Sequence, residues 1–251
     1  CHQWIAEHGM RFSKTVVVES IENTGIAMNC QRAVDQCSGD WLKLIAGDDL
    51  LLPGCISDCI EYVTNNSGVY AVFGKLQPFG CENKKLLEAI SNNLDIPFFS
   101  LSVSGQLDYL VRNRNCLPAP AAFLSLSKMR ELKISYDTRI PMMEDYPMWI
   151  QFLRNDLKLC FIDKFLVKYR IGGVSTKSGR NLSFYRTTRL FRFYYQYPEW
   201  CRDDFEEAVQ SIVNEECEIY YQLMMVESSN AYRIGKVLTK PFRALKSLFI
   251  K

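Results

Sequence analysis

Long apolar runs are missing from this chain. Nowhere do eighteen apolar residues follow one another, so the run of about 20 needed for a membrane-spanning helix is not encoded. No segment resembles the charged, apolar and small-residue blocks of a secretory leader. Histidine is nearly absent, with only His2 and His8, which leaves the ten cysteines short of partners for a mixed zinc site. Internal repeats and low-complexity tracts are lacking too, which excludes solenoid and fibrous architectures. Net charge is small, 30 basic against 28 acidic residues for +2, and this excludes a protein that holds nucleic acid by bulk charge.

What is present suits a globular α/β protein. At 251 residues and 48% hydrophobic, the chain can bury one substantial core and carry a helical appendage. Cys30, Cys37, Cys55, Cys59 and Cys160 fall on faces of expected helices or strands, where cysteine acts as a small buried hydrophobe. Cys55 and Cys59 have helical spacing. This usage predicts free thiols and a reducing, cytoplasmic setting.

The densest information lies between Asn23 and Pro53. Ile26, Cys30, Ala33, Val34 and Cys37 recur at helical spacing behind Asn23, an expected N-cap, and Gly39 is an expected stop. Trp41 to Ala46 reads as a short buried strand ending in Gly47-Asp48-Asp49. Ligands of open α/β sheets sit outside the carboxyl ends of strands, and two adjacent carboxylates there are costly unless a cation or hydrogen-bond donors offset them. Hard oxygen ligands suit Mg²⁺ or Mn²⁺, which share their remaining coordination with phosphates. A second reading stands beside this one: Asp49, just ahead of Pro53-Gly54, opens the next helix.

A second acidic pair, Glu144-Asp145, follows Ile140-Pro141-Met-Met and precedes an apolar helical face at Met148, Phe152 and Leu153. Pro147 is tolerated only in a first turn, so both acids belong at a helix N-terminus. There they either complement the helix dipole or act on a proton.

Three segments in series, Asn23-x-Gly25 through Asn29 to Asp48-Asp49-x-x-x-Pro53, Glu144-Asp145-Tyr-Pro-Met-Trp149, and Tyr169-Arg170-Ile-Gly-Gly-Val-Ser175, resemble the family 2 glycosyltransferases. The resemblance covers nearly all of residues 10 to 176. It implies a GT-A-like, Rossmann-like mixed sheet flanked by helices, in a truncated domain over 1–178 with a helical C-terminal extension over 179–251. It implies inverting transfer of a sugar from a nucleotide-sugar donor to a glycan or lipid-linked acceptor, as in assembly of surface polysaccharide. Asp145 is then the general base and Glu144 its hydrogen-bonding neighbour. Asn23, Gly25, Asn29, Gly47, Asp48 and Arg170 contact the donor, and Asp48 with Asp49 hold Mg²⁺ or Mn²⁺. Pro118 to Leu124 borders the acceptor cleft.

Two positions depart from the family pattern. Ala46 stands where the first acid of an Asp-x-Asp motif is usual, and Met28 where a basic residue often precedes the asparagine. They favour the alternative of a noncatalytic, glycosyltransferase-like binding or scaffold protein. A Gln-x-x-Arg-Trp motif is missing, since Gln196-Tyr-Pro-Glu-Trp200 lacks the arginine, which argues against a processive synthase. The resemblance also implies a strand, a helix and a second strand ahead of the strand expected at Thr15 to Glu19, so the chain is expected to be a piece of a longer protein.

Further strands are expected at Val69 to Leu76, Phe123-Leu124 and Phe165 to Val167. Helices are expected from Trp4 to His8, from Pro53, over Gly105 to Arg112 and over Asp203 to Val226. Aromatics between Phe184 and Tyr197 alternate with Arg186, Arg189 and Arg192 and read as helix-packing surface, with no nucleic acid implied. From Ser228 onward there are six basic residues and no acids; +2 less that +6 leaves the remainder at −4. Ile234, Val237, Leu238, Phe242, Leu245, Leu248 and Phe249 form an apolar face along this tail. Two readings stand: residues 229–251 lie on an anionic membrane as a peripheral anchor, or they dock on the body.

Overall fold

The computed structural model describes residues 2–91, 94–171, 182–199, 205–237 and 239. The chain divides into two compact units, Cys1–Gln196 and Tyr197–Lys251.

The first unit is built on a five-stranded mixed sheet with strand order β1-β4-β3-β5-β2. Its strands are β1 (Trp41–Lys43), β2 (Leu50–Leu51), β3 (Ala71–Phe79), β4 (Ala122–Ser125) and β5 (Leu159–Arg170). β3 and β5 are parallel, while β4 runs against both β1 and β3, and β2 runs against β5. It follows that β1, β3 and β5 all end at one edge of the sheet. β3 is central, and its first four residues are buried. Successive side chains point to opposite faces. Val72 therefore packs with Cys55 and Cys59 of helix α3 (Cys55–Asn65), together with Phe123, Leu166 and Val167. Phe73 packs on the other face, edge-on to Trp149 of α7 (Asp145–Arg154).

A bulge interrupts the β3–β5 ladder at Gly74. A Cβ there would sit 2.5 Å from Leu166 Cγ and 2.9 Å from the Lys164 carbonyl, so only glycine lets the two strands approach.

Other helices are α1 (His2–His8), α2 (Ile26–Gln36), α4 (Lys84–Ser91), α5 (Val103–Arg112), α6 (Leu126–Glu131) and α8 (Leu182–Phe191), followed by a π-helical turn over Arg192–Gln196. α8 and this turn belong to the first unit. Phe191 stacks on Tyr146 with ring centroids 4.2 Å apart, Tyr195 stacks on Phe191, and the Gln196 amide donates to the Val111 carbonyl at 2.8 Å. Phe191 and Tyr195 thus serve helix packing, as their sequence implies. The second unit contains α9 (Phe205–Ser228).

Three local expectations differ from the structure. Thr15 to Glu19 has no regular secondary structure and is mostly exposed, and it pairs with no strand among the described residues, β1 included. The strand expected to run to Ala46 stops at Lys43. Continuing the observed register from Lys43 opposite Phe123 would set Ala46 against Pro120, inside the 3₁₀ turn Ala119–Ala121, which cannot carry a ladder. Asn23 does not cap α2. Gly25 does, at φ 86°, and the Asn23 side chain accepts the Gly25 N–H at 3.1 Å.

Eight cysteines among the described residues are free thiols. No described helix is long and apolar enough to cross a membrane.

Candidate active site

The shared edge where β1, β3 and β5 end collects the first acidic centre. Beyond β1 the chain makes a tight turn closed by the Asp49 N–H on the Ala46 carbonyl at 3.2 Å. This turn separates its two carboxylates. Asp48 is exposed, whereas Asp49 is buried at 8% exposure. Asp49 Oδ1 accepts the main-chain N–H of Arg170, the last residue of β5, at 2.8 Å. The Arg170 Nε donates to the Asp48 carbonyl at 3.1 Å, and its guanidinium lies 4.6 Å above the ring of Phe79, the last residue of β3. The structure therefore brings Asp48, Asp49 and Arg170 together, with exposed Gly47 on the same turn.

Burial pushes the Asp49 carboxyl above its usual range, against the Arg170 N–H, and Asp48 beside it pushes the same way. Lys43 and Arg170 offset part of this. Burial lowers the Lys43 ammonium, with Cys55, Cys59 and Asp49 opposing. Lys43 Nζ donates to the carbonyls of Leu44 and Pro120. Sequence reasoning missed this lysine, although a lone cation in the apolar run Trp-Leu-Lys-Leu-Ile was a usable signal.

The second centre forms where α7 begins. Glu144 is its N-cap and Asp145 its first residue, as Pro147 implies. Asp145 Oδ1 accepts the Tyr146 N–H at 2.8 Å, and Oδ2 accepts the Asn115 side-chain amide at 2.9 Å. Burial raises the Asp145 carboxyl, and these two donors oppose the rise. Burial followed by repulsion from Asp145 lifts Glu144 to about 7. Tyr136 is buried nearby, its phenol raised by burial and then by Cys30, Glu144 and Asp145. Neither Asn115 nor Tyr136 was legible beforehand, because nothing in their local pattern ties them to residues 144–145.

Gly25 stands against this second centre. The N–H groups of Ile26 and Ala27, which a helix start leaves open, meet the Pro141 carbonyl at 3.2 and 3.5 Å. Asn23 and Asn29 are exposed at the same end of α2. Burial, with a contribution from Glu144, lifts the Cys30 thiol to about 11.

One loop joins the two centres. Asn115 holds Asp145, and five residues later Pro120 receives Lys43, the last residue of β1. That loop leads into β4 at the edge where β1, β3 and β5 end.

Among the described residues no group of three His, Cys, Asp or Glu is placed to hold a metal. Asp48 is exposed, and an ion completing its coordination with phosphate oxygens fits such a donor. Asp49 Oδ2 lacks a partner but is buried, so a second contact from it requires the turn to open.

This architecture is the GT-A-like fold. No family model matches the chain. It is 23% identical over 196 residues to an uncharacterised glycosyltransferase of Methanocaldococcus jannaschii, covering 78% of this chain and 63% of that protein. Crystal structures of S. aureus TarS residues 1–349 are similar, with TM-score 0.55 and 14% identity over 82% of this chain and 54% of TarS 1–349. The complex of the same piece with UDP-GlcNAc gives TM-score 0.57 and 13% identity, covering 56% of that chain. The chain thus spans less than two thirds of the length of these relatives.

Proposed function

We propose that this chain belongs to an inverting glycosyltransferase that moves a sugar from a nucleotide-sugar donor to a glycan or lipid-linked acceptor. The observation that carries the reading is the Asn115 to Pro120 loop, which ties a half-buried, hydrogen-bonded carboxylate at Asp145 to Lys43 at the end of β1, whose chain runs on into the Asp48 turn that Arg170 of β5 holds. The glycosyltransferase of M. jannaschii and the UDP-GlcNAc and UDP complexes of TarS support the same class of reaction and donor.

Asp145 takes the proton from an acceptor hydroxyl as it attacks the anomeric carbon. Its carboxylate is aimed by Asn115 and by the main chain of α7. Glu144 shares the site, and its proton uptake near neutrality adjusts the charge beside the base. Asp48, with Asp49 behind it, holds Mg²⁺ or Mn²⁺, which supplies Lewis-acid stabilisation of the leaving diphosphate. Arg170 meets the diphosphate with its free guanidinium edge. Asn23, Gly25, Asn29 and Gly47 border the donor. The basic tail over 229–251, most of it outside the described residues, holds the enzyme on an anionic membrane near a lipid-linked acceptor.

The test is donor hydrolysis and sugar transfer with a panel of nucleotide sugars, with and without Mg²⁺ or Mn²⁺. Metal-dependent turnover that is lost in Asp48→Ala and in Asp145→Ala supports the assignment; turnover that persists in both removes it. Ala46, in place of an acid, favours a second reading, a noncatalytic relative. That reading requires donor binding with no turnover in the unaltered protein.

A further inference from the structure

Trp149 stands one helical turn beyond Asp145 on α7, so the two side chains share a face of the helix. It is 2% exposed and packs edge-on to Phe73 with centroids 4.8 Å apart. Its indole N–H is buried without a hydrogen-bond partner. Such a donor is a standing cost to the fold and requires an explanation. The indole favours the charged form of the Asp145 carboxylate, yet its N–H makes no hydrogen bond.

We propose that Trp149 is a positioning residue for Asp145, its indole N–H becoming the third hydrogen-bond donor to that carboxylate when the carboxylate is charged. The inference rests on Asp145 being the base proposed above. Tyr146 N–H and the Asn115 amide already occupy one lone pair on each oxygen, and a carboxylate has about four acceptor sites. The indole is held by Phe73, so it approaches from a fixed direction and fixes the rotation of the carboxylate about its own axis. The other titratable groups facing the site are Glu144 on the same turn, Tyr136 from the segment before α7, and Tyr146 beside it. Cys30 of α2 faces Glu144, and Arg192 from the turn after α8 faces Tyr146. Glu144, Tyr136 and Tyr146 become anions on losing a proton, so the indole N–H joins the Asn115 amide and the Tyr146 main-chain N–H as an attraction for charged Asp145 that does not titrate.

The experiment follows the ¹⁵N-labelled indole resonances from about pH 5 to about pH 9, a range that covers raised carboxyl groups. The Trp149 resonance is assigned by its loss in Trp149→Phe, which keeps an aromatic edge against Phe73. It moves downfield along a titration curve as pH rises in the unaltered protein and is flat in Asp145→Asn. A flat Trp149 resonance in the unaltered protein, or an unchanged titration in Asp145→Asn, overturns the contact. The kinetic arm is the pH profile of transfer. Trp149→Phe moves the acidic limb up by roughly half a unit to one unit, since loss of a donor disfavours the anion, and leaves the donor KM within about twofold. An acidic limb that stays in place overturns the positioning role. If Asp145→Asn retains transfer while the indole still titrates with Asp145, the base assignment fails and the positioning role fails with it, but the contact stands.

Discussion

The main-chain N–H of Arg170 donates to Oδ1 of Asp49 at 2.8 Å, so the turn after β1 and the end of β5 are one structural piece. Oδ2 of the same carboxylate is buried without a partner, and burial raises the group above its usual range. A raised carboxyl contributes stability that is complete below its unfolded value, near 3.8, and is lost as pH climbs through the folded value. Asp49→Asn keeps an acceptor for Arg170 and removes the buried charge. It is expected to raise Tm at neutral pH and to flatten the part of the pH dependence that Asp49 supplies. Asp49→Ala leaves the Arg170 N–H unpaired and is expected to cost about 1–3 kcal/mol. Denaturant titrations of the three proteins at several pH values measure both effects.

Glu144 gives a second pH dependence with the same sign. Its folded value of about 7 lies above the ordinary 4.5, so its contribution is present below about pH 4.5 and disappears as pH rises through 7. Glu144→Gln is therefore expected to stabilise the chain at pH 8 relative to the unaltered protein, with little change at pH 4. The same substitution removes a negative neighbour from Asp145, which favours the Asp145 anion. The acidic limb of the transfer profile moves to lower pH in Glu144→Gln. In Asp145→Asn the rate falls by about 10²–10⁴, the usual contribution of a general base, while donor affinity measured by calorimetry changes little.

Arg170 separates architecture from binding. Arg170→Lys keeps the main-chain N–H on Asp49 but gives up Nε on the Asp48 carbonyl and the planar contact with Phe79. An exposed contact of this kind changes folding by well under 1 kcal/mol. Loss of a charge-assisted hydrogen bond to phosphate costs about 1.5–3 kcal/mol, so donor affinity is expected to fall roughly 10- to 100-fold. Calorimetry with the preferred nucleotide diphosphate, alongside thermal melts, checks the split.

The strands β3, β4 and β5 and the local placement of both acidic pairs were legible because their signals are local, whereas β2 was not foreseen and Thr15 to Glu19 joins no strand among the described residues. Pro147 in a first turn fixes where α7 starts, and Gly47-Asp48-Asp49 after an apolar run fixes a turn beyond a strand. The strand lengths were not legible in the same way. Whether β1 reaches Ala46 depends on what lies opposite, and Pro120 lies 74 positions further along the chain. Asn115 and Tyr136 escaped notice for the same reason, since each acts on a partner that only the folded chain supplies. Asn23 is the converse case. Its local pattern reads as a cap, but Pro141 delivers a carbonyl to the first N–H groups of α2 and the cap is not needed.

Gly74 carries a prediction about the scaffold alone. With a Cβ set 2.5 Å from Leu166 and 2.9 Å from the Lys164 carbonyl, Gly74→Ala forces β3 away from β5. Overpacking a closed core costs about 1–3 kcal/mol, and chemical denaturation measures it. Leu166→Ala in the same chain opens the space the new methyl needs, so the double variant is expected to lose less than the sum of the two single losses.

The tail's two readings differ in their response to lipid charge. Arg233 and Lys236 lie in the described part of the second unit, and Lys240, Arg243, Lys246 and Lys251 follow with no acid between them. A basic residue near an anionic surface contributes about 1 kcal/mol. Reversing three of them, in Arg233→Glu, Lys236→Glu and Lys240→Glu, is expected to weaken binding to phosphatidylserine vesicles by more than 100-fold, from about 3 kcal/mol of lost attraction plus new repulsion. Binding to neutral vesicles changes little. Flotation across a series of salt concentrations reads the same quantity, because screening at about 10 Å in 0.1 M salt weakens only the electrostatic part. Equal recovery of the chain with anionic and neutral vesicles, unaltered by the three reversals, assigns the tail to docking on the protein and removes the membrane anchor from the proposed function.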